Sequence, residues 1–158
     1  MGRSLASTLR RTFVDTDCEL SEQVGMTISE YVRKMGWAAF RELERSILQQ
    51  ISKQDMQVVA TGGGVVMDSR NADSMRNSGT LVWLKASPQT IRARLSKDQS
   101  TAQTRPALSS KGAIEEIEDI LSERMPYYEQ ATDLSIDTDG LSIEQICSQL
   151  LTYLSKNK

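Results

Sequence analysis

The amino-acid sequence predicts an α/β fold, a three-layer arrangement in which a parallel sheet carries helices on both faces. Three short runs, at residues 57–61, 80–85 and 134–137, are apolar enough to be buried strands. Segments of ten or more residues with helical periodicity separate them. Thr27-Ile28-Ser29-Glu30 and Ser142-Ile143-Glu144-Gln145 are capping boxes, each opening a helix.

Residues 2–10 read as a helix, with Leu5 and Leu9 one turn apart. Phe13-Val14-Asp15 is a short strand or strand end. The helix that starts at Thr27 is closed by Gly36, and a second runs over 37–53, its stripe formed by Phe40, Leu43, Ile47 and Ile51. The strand at 57–61 stops at Gly62-Gly63-Gly64. Ser87-Pro88 supplies a cap and a first-turn proline for a helix reaching about residue 96. Residues 97–112 are rich in Ser, Thr, Gln and Lys and read as a lid loop, not a linker, because neither flank could bury a core alone. A helix over 114–128 follows. The last helix places Ile143, Ile146, Cys147, Leu150, Leu151 and Leu154 on one face. One domain, residues 1–158, is expected.

Composition excludes several functions. The chain has 158 residues, a net charge of −2 and no histidine. Histidine-based acid–base catalysis and the usual zinc sites are therefore excluded. No basic stripe suggests nucleic acid. No apolar run is long enough to span a bilayer, and residues 1–14 are basic without the apolar stretch of a secretory leader. Cys18 and Cys147 lie far apart with no partner motif, as expected of idle thiols in a reducing cytoplasm.

Several residue groups could carry chemistry. Asp15-Thr16-Asp17 follows a short strand, where functional residues of parallel sheets gather. Its two carboxylates suit a hard cation plus a polyol hydroxyl, or else a helix cap and a solvated neighbour. Arg41 and Glu44 share a helix face, so Arg41 could fork a substrate carboxylate while Glu44 steadies it, unless they form only a surface ion pair. Gly62, Gly63 and Gly64 after a strand suit close approach of a ligand to the backbone, or an ordinary turn. Arg105, in the polar loop, could close over a transferring phosphate, and Arg124 could be a second anion clamp. Arg92 or Arg94 could stack on a nucleotide base. Each of these arginines could equally be solvated. Tyr127 and Tyr128 read as packing residues.

Taken in order, these motifs resemble the shikimate kinase family: Asp-Thr-Asp after a strand, Phe-Arg-x-x-Glu on a helix, Ala-Thr-Gly-Gly-Gly, Arg-Pro in a polar lid, and Glu-Arg-x-Pro-x-Tyr. The resemblance runs from Gly2 to about Leu154. It implies a P-loop-kinase-like fold and transfer of the ATP γ-phosphate to the 3-hydroxyl of shikimate with Mg²⁺, in chorismate and aromatic amino acid biosynthesis. By motif, Asp17 would contact the shikimate hydroxyls and help orient or deprotonate the attacking one. Arg41 and Arg124 would clamp the carboxylate, Glu44 would orient Arg41, and Gly62, Gly63 and Gly64 would line the same pocket. Asp15 would help organise Mg²⁺, Arg105 would reach the phosphates, and Arg94 would flank the adenine. A cytoplasmic enzyme, monomeric at full length, with shikimate and ATP as partners and neither nucleic acid nor membrane, is implied.

One part of the family pattern is missing. The sequence contains no G-x-x-x-x-G-K-[ST], and Arg3 and Arg10 cannot replace its lysine. The helix beginning at Gly2 resembles the one that follows that loop. The expectation is therefore that Met1 is internal to a longer, active protein, and that the central first strand is absent from this chain, leaving two inner strands with unpaired edges. A non-catalytic shikimate-binding or interaction module, and another small-molecule kinase acting on gluconate or a nucleotide, are the alternatives.

Overall fold

A computed structural model describes residues 1–97 and 117–156. The lid expected at 97–112, Arg105 with it, lies outside the described residues apart from residue 97. The order of elements is α1 (Gly2–Leu9), β1 (Thr12–Asp15), α2 (Thr16–Val24), α3 (Ile28–Ile51), β2 (Gln57–Ala60), a 3-10 turn (Val65–Met67), α4 (Ser69–Ser78), β3 (Val82–Lys85), α5 (Pro88–Lys97), α6 (Ile117–Ala131), β4 (Leu134–Asp137) and α7 (Ile143–Lys156).

The predicted start signals act as local chemistry requires. Thr27 Oγ1 accepts from Glu30 N–H, and the Glu30 carboxylate accepts from Thr27 N–H in return. Ser142 and Gln145 do the same at α7. Gly36 lies at φ 82°, ψ 165°, and breaks α3 where the sequence places a helix end.

Strands β1 and β2 pair in parallel, Asp15 opposite Ala60, and β3 and β4 pair in parallel, Lys85 opposite Asp137. The layers are those expected. Leu5 of α1 and Ile146, Cys147 and Leu150 of α7 pack with Ile136, against Val58 of β2 and Val82 of β3. Leu20 of α2 and Phe40, Ile47 and Ile51 of α3 form the second cluster, with Val14 of β1 against it. Val58 and Val14 sit on opposite faces because Val58 is register partner to Phe13, one residue before Val14. The sheet itself is two two-stranded pairs. Among the described residues β2 and β3 each pair on one side only, and Val59 and Leu84 are 38% and 39% exposed.

Helix α4 is an addition to the sequence reading. Its sequence, SRNADSMRNS, has too few apolar residues for a stripe. Polar contacts hold it. Asp68 caps it by accepting from Arg70 N–H, and buried Asn71 donates through Nδ2 to the Val65 carbonyl at 3.2 Å. Arg45 of α3 bonds Asp68 in turn.

The Arg70 guanidinium, bonded to Asp68 at 2.7 Å, draws the Asp68 carboxyl down to about 2, from an ordinary 3.8. A depressed carboxylate contributes stability that is present above pH 3.8 and is lost as pH falls through about 2. Asp68→Asn keeps a capping side chain but loses the charge. The wild type is expected to exceed this variant by about 1 kcal/mol at pH 7, solvent screening holding the gain below the full shift. The gap should close between pH 4 and 2, as urea unfolding across that range would measure. A gap independent of pH would contradict it.

Candidate active site

The parallel register brings two chain segments to one end of the sheet. Asp15 closes β1 and Ala60 closes β2 directly opposite, so Asp17 and the glycine turn emerge side by side. Asp15 turns back as the N-cap of α2, its Oδ1 accepting from Asp17 N–H at 3.0 Å and Cys18 N–H at 3.3 Å. The capping alternative left open by the sequence is thus realised at Asp15, with Oδ2 outside both bonds. Asp17, in the first turn of α2, faces the glycines: a Cβ on Gly62 would lie 3.1 Å from Asp17 Oδ1.

From the other side comes Arg41. Its Nη1 donates to Glu44 Oε2 at 2.8 Å, and its guanidinium lies 5.0 Å from the Phe40 ring centroid and 5.5 Å from that of Trp37. Glu44 is 6% exposed, so this is no surface ion pair. Burial pushes the Glu44 carboxyl above its ordinary range, while Arg41 and Arg124 pull it down and Asp17 pushes it up. The four charged groups therefore share one electrostatic environment.

Gly64 explains itself by what surrounds it. A Cβ there would stand 2.7 Å from Arg41 Nη2 and 2.9 Å from Nη1. At Gly63 a Cβ would meet Tyr128 Oη at 2.9 Å and Arg124 Nη1 at 3.5 Å. Helix α6 carries both of those residues and packs on the 3-10 turn Val65–Met67. Among the described residues, Arg124 Nε is buried without a hydrogen-bond partner.

Asp17, Arg41, Glu44, Gly62, Gly63, Gly64 and Arg124 are thus brought together. Arg94 is elsewhere: it donates through Nη1 and Nη2 to the Thr138 hydroxyl and carbonyl, both at 2.9 Å, tying α5 to the end of β4. Tyr128 corrects the sequence reading. It does stack on Trp83, centroids 5.1 Å apart, but its hydroxyl also donates to the Gly63 carbonyl at 2.7 Å. The partners are 65 residues apart, and no local pattern links them.

Two guanidinium groups and a buried carboxylate set against a glycine turn thus lie at the carboxyl end of the strands, where parallel α/β proteins bind their ligands. Residues 1–155 match the family model for shikimate kinase. A shikimate kinase of Syntrophus aciditrophicus is 36% identical over 96% of this chain and 82% of its own length. A shikimate kinase 2 of Yersinia pestis is 39% identical over 99% of this chain and 90% of its own. The solved structure of shikimate kinase from Acinetobacter baumannii in complex with shikimate superposes with a TM-score of 0.91 at 27% identity, covering 99% of this chain and 86% of that one. The chain belongs to the shikimate kinase family.

Proposed function

We propose that the site binds shikimate and serves ATP-dependent phosphorylation of its 3-hydroxyl, a step toward chorismate and the aromatic amino acids. One observation carries this reading: two guanidinium groups, Arg41 and Arg124, lie against adjacent glycines, with buried Glu44 holding the first. Paired arginines suit a carboxylate substrate better than a neutral sugar. In this reading Arg41 and Arg124 clamp the carboxylate and Gly62, Gly63 and Gly64 line the pocket. Asp17 orients the attacking hydroxyl and accepts its proton. Arg105 serves the phosphates, and Arg94, fixed by Thr138, flanks the adenine with its guanidinium plane.

Mg²⁺ keeps most of its water and needs only one or two carboxylates. Asp15, with Oδ2 outside its capping bonds, and neighbouring Asp17 fit such an ion through water. When bound, the ion supplies neutralisation of phosphate charge. We place the enzyme in the cytoplasm, in keeping with the unpaired thiols of Cys18 and Cys147, and expect a monomer that takes no nucleic acid. Among the described residues no helix is long and apolar enough to cross a membrane.

Competition binding tests the substrate. Shikimate should displace a bound shikimate analogue at concentrations where gluconate and nucleoside monophosphates do not; displacement by either competitor at equal concentration would sink the assignment.

Gly64→Ala separates binding from folding. Gly64 sits at φ −89°, ψ −10°, a conformation alanine adopts freely. The clash is with the flexible end of Arg41. Stability should change by less than about 1 kcal/mol, whereas the displaced guanidinium should weaken shikimate binding roughly tenfold. Thermal unfolding and calorimetric titration would measure both.

A further inference from the structure

The glycine turn is held by its carbonyls. Gly62 C=O accepts from Val65 N–H at 3.2 Å and Gly64 C=O from Met67 N–H at 3.2 Å, both bonds local to the turn. Val65 C=O accepts from Asn71 Nδ2 at 3.2 Å. Gly63 C=O is served from a distant element, by Tyr128 Oη at 2.7 Å. A trans peptide is planar, so its C=O and N–H point in opposite directions. Fixing the Gly63 carbonyl toward α6 therefore fixes the Gly64 N–H away from α6. Neither residue of that peptide has a Cβ, so steric resistance to rotating the plane is low. The direction of the Gly64 N–H thus depends on an external bond.

We propose that Tyr128 is a positioning residue: its hydroxyl latches the Gly63–Gly64 peptide in the orientation that lets the glycine turn receive the acceptor substrate. The inference rests on the shikimate-binding reading above. Three features make Tyr128 suited to the task. Its ring is stacked on Trp83 at an interplanar angle of 29°, so the hydroxyl is carried by a side chain anchored on β3. Arg124 lies one helical turn earlier on α6, so the bond that orients the peptide also sets the height of the second arginine over Gly63. The space a Gly63 Cβ would need is occupied by the same hydroxyl, 2.9 Å away, so turn and latch fit only as a pair.

Tyr128→Phe keeps the ring and its stacking and removes only the donor. Two measurements are made on wild type and variant labelled with ¹⁵N-glycine: the Gly64 amide resonance without ligand, and titration with shikimate. The expected result is an unchanged unfolding midpoint, a shifted or exchange-broadened Gly64 amide, and shikimate affinity lowered about 3- to 10-fold. In a turnover assay the loss should fall on KM more than on kcat. An unaltered Gly64 amide, or unaltered affinity beside an altered amide, overturns the proposal. Should wild-type protein fail to bind shikimate, the function proposed above falls. The amide measurement, which needs no ligand, still decides whether Tyr128 latches the peptide.

Discussion

Replacing Arg41 and Arg124 together with alanine is expected to abolish shikimate binding, with a loss of about 10²- to 10⁴-fold. Hydrogen bonds to charged groups contribute roughly 1.5–3 kcal/mol each, and each 1.4 kcal/mol is about tenfold. Two such clamps account for the range. The single variants should differ in a second respect. Arg124→Ala removes a guanidinium whose Nε has no hydrogen-bond partner among the described residues, so stability should hold. Arg41→Ala strips the partner from Glu44, a carboxylate 6% exposed whose burial already raises its pKa. An unpaired buried charge is costly, so Glu44 should take up a proton more readily and the unfolding midpoint should fall as pH rises. Arg41→Ala/Glu44→Gln should recover that stability without recovering affinity. Calorimetric titration and thermal unfolding between pH 5 and 8 measure both. Unchanged affinity in the double alanine variant would contradict the clamp.

Asp17→Asn is expected to lower phosphoryl transfer by about 10²- to 10⁴-fold, the usual contribution of a positioned base. Shikimate affinity should change by less than about tenfold, since asparagine still hydrogen-bonds a hydroxyl. The geometry motivates the split: Asp17 lies over Gly62, at the opposite end of the glycine turn from Arg41 at Gly64. Helix α2 should persist in this variant, because Asp15 still caps it. Equal loss of binding and turnover at Asp17 would assign it to holding the substrate alone.

Much of this arrangement was legible in the chain itself, where the signal is local. Thr27 with Glu30, and Ser142 with Gln145, write their helix starts in four residues. Arg41 and Glu44 are three apart on one helix, so their meeting needed no tertiary knowledge, although its burial did. Long-range contacts were not legible. The sequence reads Tyr128 as packing because its acceptor, Gly63, is distant in sequence. Helix α4 leaves no apolar period in the sequence, because it is held by the polar residues Asp68 and Asn71. Arg94 could be placed near a nucleotide by motif, but only the fold shows its guanidinium anchored to Thr138.

The most direct test is to isolate the protein from its source cells, supply ATP, Mg²⁺ and shikimate, and follow the phosphorus resonances. The account predicts ATP consumption that requires shikimate, with phosphate appearing on the 3-hydroxyl. Saturable shikimate binding with no transferred phosphate would contradict it and leave a binding protein built on a kinase fold.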